Sequence, residues 1–371
     1  MNPFTPKAYA MPILASLLLS SCGGSTTTSS LTTTAPPPGS FIQSYTTSWS
    51  AGDIVQLGIN TATMTYTFKI LLSNHNLAGK SGKGNITSQN ADGSFNLAAS
   101  PDGVVFGGKL FAVKNGEVSG YISASLLAGY TFNVPVLGTS NPIQTIPSMA
   151  GTYNYVSYSC PTATSGNVIG TAGCATDFGT MSIANTFTFL RCNQQDLSTT
   201  AACTSFSTGT LSVANSAAVP GVFNMTRNGA AVSGWMFAYT AANGKRVAVV
   251  DLNETAAAGS YGYGQMVMTD QVTVTAADID GKYALFNFIE GAKSTTIAGA
   301  TYSTGSTSTT TGSINLNTPW PGMISWSDST AQYGGNSIIA GTGIFASQMT
   351  PSTVGPFSSF TSKWFEVGLK H

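Results

Sequence analysis

Apolar side chains recur at every second position along much of this chain, and tight-turn pairs punctuate the runs. Tyr66, Phe68 and Ile70 fall on one face of a candidate strand, with Thr65, Thr67 and Lys69 on the other. Phe187 and Phe189 alternate with Thr186 and Thr188, and the pairs Tyr153/Tyr155 and Val247/Val249 keep the same spacing. A period of two is that of a half-buried β-strand. Between the runs stand Asp92-Gly93, Asp102-Gly103, Asn115-Gly116, Asn228-Gly229 and Asn243-Gly244. Such pairs tolerate the positive φ that two-residue hairpins require. Sustained 3.6-residue periodicity is absent; Ala276–Ile279 is a candidate for a single helical turn. These features predict an all-β body of antiparallel meanders, barrel or sandwich. Composition agrees, because only 8% of residues are charged and helical surfaces lean on Glu, Lys and Arg. With a formal net charge of zero, the chain lacks the basic footprint of a nucleic-acid binder.

The body also repeats itself. Thr65-Tyr-Thr-Phe68 matches Thr186-Phe-Thr-Phe189, and Gly93-Ser-Phe-Asn-Leu97 matches Gly221-Val-Phe-Asn-Met225. Each is followed by a Gly-rich run ending in Asn-Gly, Val105 to Gly116 and Val232 to Gly244. Gly151-Thr-Tyr-Asn-Tyr155 against Gly281-Lys-Tyr-Ala-Leu285 suggests a third copy. If these matches reflect duplication, Phe95 and Phe223 share one inward face, as do Phe68 and Phe189, because the side-chain period fixes the face. The expected units span 41–147, 148–277 and 278–371, with boundaries near Pro142–Pro147 and Ala276–Asp280.

The first forty residues read as an address. One lysine in the opening heptad precedes a run of about a dozen mostly apolar residues, too short for a bilayer core that needs roughly 20 but fitting for a signal-peptide core. It ends in Leu19-Ser20-Ser21-Cys22. This segment resembles the signal sequences of bacterial lipoproteins, whose lipobox is an aliphatic residue, two small residues and cysteine. The resemblance implies removal of residues 1–21 and acylation of Cys22, and Gly23 in place of aspartate favours the outer membrane. Two or three acyl chains anchor stably where one does not. Residues 22–40, Ser/Thr-rich with Pro36, Pro37 and Pro38, read as a disordered tether, reaching roughly 20–25 Å as a flexible coil.

Four cysteines remain: Cys160, Cys174, Cys192 and Cys203. In an exported chain an even number reads as two disulfides. Local pairing (Cys160–Cys174 with Cys192–Cys203) and crossed pairing both stay open. No Cys-x-x-Cys spacing or neighbouring histidine supports zinc.

No catalytic constellation stands out, and no cofactor or metal is called for. The two histidines are His75, in the polar loop Ser73–Asn76, and His371. No Gly-x-Ser-x-Gly elbow occurs. Gly79-Lys80-Ser81 lacks the first glycine of a phosphate loop. Asp270, Asp278 and Asp280 lack the remaining ligands of a calcium loop and read as turn residues. Aromatics carry the one ligand hint: Trp235, Phe237 and Tyr239 alternate along one run, and Trp320 and Trp326 flank a short segment. Facing a barrel mouth, they would line a pocket for an apolar or carbohydrate ligand; facing a core, they would pack. The expectation is a non-enzymatic outer-membrane lipoprotein acting as a binding or surface-interaction module. Its partners are the membrane, through the anchor, and a ligand or an envelope protein. The alternatives are an exported carboxylate-based hydrolase and a structural part of an envelope assembly.

Overall fold

The alternation closes into barrels. The computed structural model describes residues 41–371 except 113–115, 128–129, 161–174, 198–202, 215–218, 228–231, 254, 257–259, 262, 288–290, 306–309, 330–332, 342 and 352–363. The first barrel comprises β1 (Ile42–Trp49), β2 (Asp53–Asn60), β3 (Thr65–Ser73), β4 (Ser81–Gln89), β5 (Phe95–Leu97), β6 (Val105–Ala112), β7 (Glu117–Leu127) and β8 (Tyr130–Thr139). The second comprises β9 (Gly151–Cys160), β10 (Ala175–Ile183), β11 (Thr188–Asn193), β12 (Phe206–Val213), β13 (Val222–Arg227), β14 (Val232–Thr240) and β15 (Arg246–Leu252). A minor pair, β16 (Thr255–Ala256) and β17 (Ser260–Tyr261), precedes its closing strand β18 (Tyr263–Asp270). After one helical turn, α1 (Ala276–Ile279), come β19 (Gly281–Asn287), β20 (Gly291–Ala298), β21 (Thr301–Thr304), β22 (Thr310–Leu316), β23 (Ile324–Asp328), β24 (Tyr333–Ala340), β25 (Ile344–Pro351) and β26 (Trp364–Lys370). Within each barrel successive strands pair antiparallel, and the last returns to the first. Closure removes the unpaired edges on which open sheets aggregate.

The turn pairs behave as their residues require. Gly93, Gly103 and Gly244 take φ of +83°, +74° and +79°; Asn115 and Asn228-Gly229 lie outside the described residues. Asp278 caps α1 through Thr275, and Asp280 accepts the Gly299 amide at 2.6 Å, so these carboxylates serve turns.

The repeated segments occupy corresponding strands. Phe68 and Phe189 lie on the third strands, Phe95 and Phe223 on the fifth, and Val105 and Val232 open the sixth. All four phenylalanines are buried and point inward by register. Phe68 stands opposite Gly82, Phe189 opposite Gly209, and in the third barrel Tyr302 opposite Gly312. A β-carbon on these glycines would fall 2.7, 2.5 and 2.4 Å from the ring. The ring therefore lies flat along the wall over the next strand's glycine. Eight strands enclose just enough room for side chains, so such flattening governs how each lumen fills.

One end of each barrel is floored by the segment that precedes its first strand. Phe41 packs edge-on against Phe95. Ile146 and Met149, from a 3₁₀ turn, join the second core, and Val274 and Ile279 join the third. The Tyr153 hydroxyl donates to the Met149 carbonyl at 2.5 Å, and that of Tyr283 to Ile279 at 2.6 Å.

The barrels form a closed ring. The first strand of each barrel meets the seventh strand of another: β1 meets β15, β9 meets β25, and β19 meets β7. Equivalent head-to-tail contacts that close after three steps are the geometry of a cyclic trimer, here within one chain. The floored ends point the same way. Asn243, in the β14–β15 turn, donates to the Gly341 carbonyl in the β24–β25 turn at 2.7 Å. Glu117, opening β7, lies so close to Gly341 that a β-carbon there would sit 1.9 Å from its carboxylate. Toward the opposite end, Ser48 donates to Asp251 at 2.7 Å and accepts from Gln265 at 2.9 Å, and Tyr158 stacks on Phe365. Outer-wall residues such as Val156, Phe237, Phe286 and Val367 thus join one apolar cluster with the core of the first barrel.

Candidate ligand site in the third barrel

The three lumens differ in what fills them. The first is occupied by large buried side chains, among them Tyr45, Trp49, Leu57, Tyr66 and Phe68. The second is packed with Met181, Met225, Met236, Met266 and Met268, whose flexible thioethers fill irregular space. A charged lid lies over these side chains toward the other end. Arg191 donates to Asp177 at 2.8 Å and lies 4.6 Å from the Tyr155 ring centroid. The Tyr155 hydroxyl contacts Asp177 at 2.8 Å and Asn193 at 3.0 Å.

The third lumen changes character along its axis. Its floor is apolar: Tyr283, Leu285, Ile297, Ile314, Ile339 and Phe345 pack over Ile279. Toward the mouth the inward positions become small and hydroxylated. Thr295 donates to Thr304 at 2.8 Å, and Ser337 to Ser347 at 2.8 Å. Trp326 lies over Gly335, where a β-carbon would fall 2.9 Å from its ring, and reaches across β24 to donate to Ser347 at 3.0 Å. Tyr302 meets it edge-to-face, centroids 5.9 Å apart at 84°. Lys293 and Glu366 form a 2.6 Å ion pair, their side chains 20% and 8% exposed. Burial, then the Asp328 and Glu366 carboxylates, push the Tyr302 hydroxyl up to about 12, so it is a neutral donor at physiological pH. Trp326 and Tyr302 are only half-buried.

Of the aromatics singled out from the sequence, Trp326 belongs to this lumen. Trp235, Phe237 and Tyr239 do not line a mouth: register places Gly234, Met236 and Ala238 inward and the aromatics on the outer wall of β14. There Phe237 and Tyr239 are buried in the ring and Trp235 is partly covered. Trp320 is a clasp between barrels, donating to Asn154 at 2.8 Å and stacking on Phe178, while Asn154 donates to the Pro321 carbonyl at 2.8 Å. Cys192 and Cys203 form a disulfide, with Cα atoms 5.7 Å apart; Cys22, Cys174 and the side chain of Cys160 lie outside the described residues. Among the described residues no group of three or more His, Cys, Asp or Glu is placed to hold a metal ion, and no helix is long and apolar enough to cross a membrane.

Lys293, Tyr302, Asp328 and Glu366 carried no signal when read one at a time. The glycines opposite the two rings, Gly312 and Gly335, could have drawn attention to them. His75, in its polar loop, is partly buried: its Nε2 lies 2.7 Å from the Ala51 carbonyl, beside buried Asp53. No family model matches the chain, and no curated protein matches it.

Proposed function

We propose that this protein is a lipid-anchored binding protein of the bacterial outer membrane, non-enzymatic, whose third barrel takes a small polar ligand. The observation that carries the reading is the pair of half-buried rings, Trp326 and Tyr302, on the inner wall of a barrel whose sister lumens are packed with buried side chains. The anchor is supported by Leu19-Ser20-Ser21-Cys22.

Two measurements test this. Aqueous acrylamide quenches the fluorescence of Trp326, seen as the difference between wild type and Trp326→Phe; equal quenching of the two proteins sinks the reading of the third lumen as an open cup. Cys22→Ser abolishes fatty-acid labelling and membrane retention; a variant that stays labelled and membrane-bound sinks the anchor. A carboxylate-based hydrolase is the second reading, favoured by Asp328 and Glu366 sharing one lumen. Against it, Glu366 is tied to the Lys293 ammonium, an arrangement that fixes charge rather than relaying protons.

A further inference from the structure

The chemistry of the third lumen selects among ligand classes. We infer that it binds a neutral saccharide, an inference resting on the open-cup reading above. A sugar ring offers apolar C–H faces and a rim of hydroxyls that both donate and accept. The wall is matched to each part. Trp326, flat on Gly335, presents a platform of the kind on which C–H faces rest. Thr295, Thr304, Ser337 and Ser347 supply hydroxyls that donate or accept. Tyr302 supplies a neutral donor, and by register Asp328 and Glu366 face the same lumen.

Other small-ligand classes fit less well. An acyl chain needs a continuous apolar lumen, but the apolar half is occupied by Ile297, Ile314, Ile339 and Phe345, all buried. An anion needs a cation to receive it, and the Lys293 ammonium is held by Glu366 at 2.6 Å. A ligand that carries no charge leaves that ion pair intact.

The experiment uses the full acylated protein in a zwitterionic, sugar-free detergent. Glucose, galactose, N-acetylglucosamine and maltose are titrated in turn, with tetramethylammonium, acetate and octanoate as other classes, read by tryptophan fluorescence and saturation-transfer NMR. At least one sugar is expected to bind. Trp326→Ala should weaken it about tenfold, the worth of one good aromatic contact, and Phe106→Ala on an exposed outer wall should not. Asp328→Asn, which preserves shape, provides a second weakened variant should Trp326→Ala fold poorly. Binding of another class with no sugar bound, no binding by any probe, or sugar binding indifferent to both variants overturns the saccharide assignment. The acrylamide result decides the open cup separately, since quenching at Trp326 without sugar binding leaves the cup standing and removes only the class.

Discussion

Asp53 opens β2 near the seam between the first two barrels and is fully buried, with the Ser73 side chain and the His75 ring its polar neighbours. Burial pushes it up from 3.8 to about 6, with His75 and Ser73 opposing. In the unfolded chain the group titrates near the ordinary value. Between roughly pH 4 and 6 the folded protein therefore keeps a proton that the unfolded chain has released. A raised folded value means the contribution is fully present below the unfolded pKa and lost as pH rises through about 6. At about 1.36 kcal/mol per unit, the swing is about 3 kcal/mol. Asp53→Asn has the same shape and no charge. The variant should be more stable than wild type by about 1–3 kcal/mol at pH 8, the gap shrinking toward zero at pH 4. Urea unfolding of both proteins at pH 4, 6 and 8 measures it, and the difference cancels the titration of groups they share. Burial drives Asp251 well up too, so the variant keeps a residual slope of the same sign. A gap that is absent at pH 8, or equal at every pH, would refute the assignment of a costly buried carboxylate to Asp53.

Three further outcomes are expected. Arg191→Met leaves Asp177 without its ion-pair partner in the lid of the second barrel and should cost about 3–5 kcal/mol in urea unfolding; Arg191→Met with Asp177→Asn should recover part of it. Cys203→Ser opens a loop of sequence separation 11, and the chain-entropy account puts the loss at about 3 kcal/mol; a midpoint unchanged from wild type contradicts it. In Gly312→Ala the new β-carbon would sit 2.2 Å from the Ser327 carbonyl oxygen and 2.4 Å from the Tyr302 ring. It should cost about 1–3 kcal/mol, as overpacking does, and alter acrylamide quenching of the neighbouring Trp326; a silent substitution argues against the flattened ring.

The strands were legible because their signal is local. Tyr66-Thr67-Phe68 states its own face, and Asp92-Gly93 and Asn243-Gly244 state their own turns. The repeat was legible because Phe68/Phe189 and Phe95/Phe223 keep their order. The facing of Trp235, Phe237 and Tyr239 was not, and the reason is physical. A strand of an isolated barrel has one wet face, so its bulkier apolar set points in. β14 is buried on both faces, by its own lumen and by the ring. Gly234, Met236 and Ala238 then occupy the inside, and the larger side chains meet the neighbouring barrels. Alternation gives the period but loses the polarity of the faces. Asp53 was hidden for a related reason: Asp251, whose carboxylate accepts its backbone amide, belongs to another barrel some two hundred positions away.

The ring also accounts for how one barrel can carry a partly polar lumen. An eight-stranded barrel is normally held by a filled lumen, and the third surrenders half of its own to Thr295, Thr304, Ser337, Ser347 and an ion pair. The lost apolar burial is replaced on the outside. Phe286 packs against Phe111 and Tyr121 of the first barrel. Phe365 stacks on Tyr158 of the second. Ile338, Ala340, Ala346 and Val367 enter the shared cluster, and Trp320 fastens the β22–β23 connection to Asn154. Buried apolar area contributes alike from either side of a wall, at roughly 25 cal/mol per Å². The third barrel can thus carry polar side chains inside while its neighbours supply cohesion.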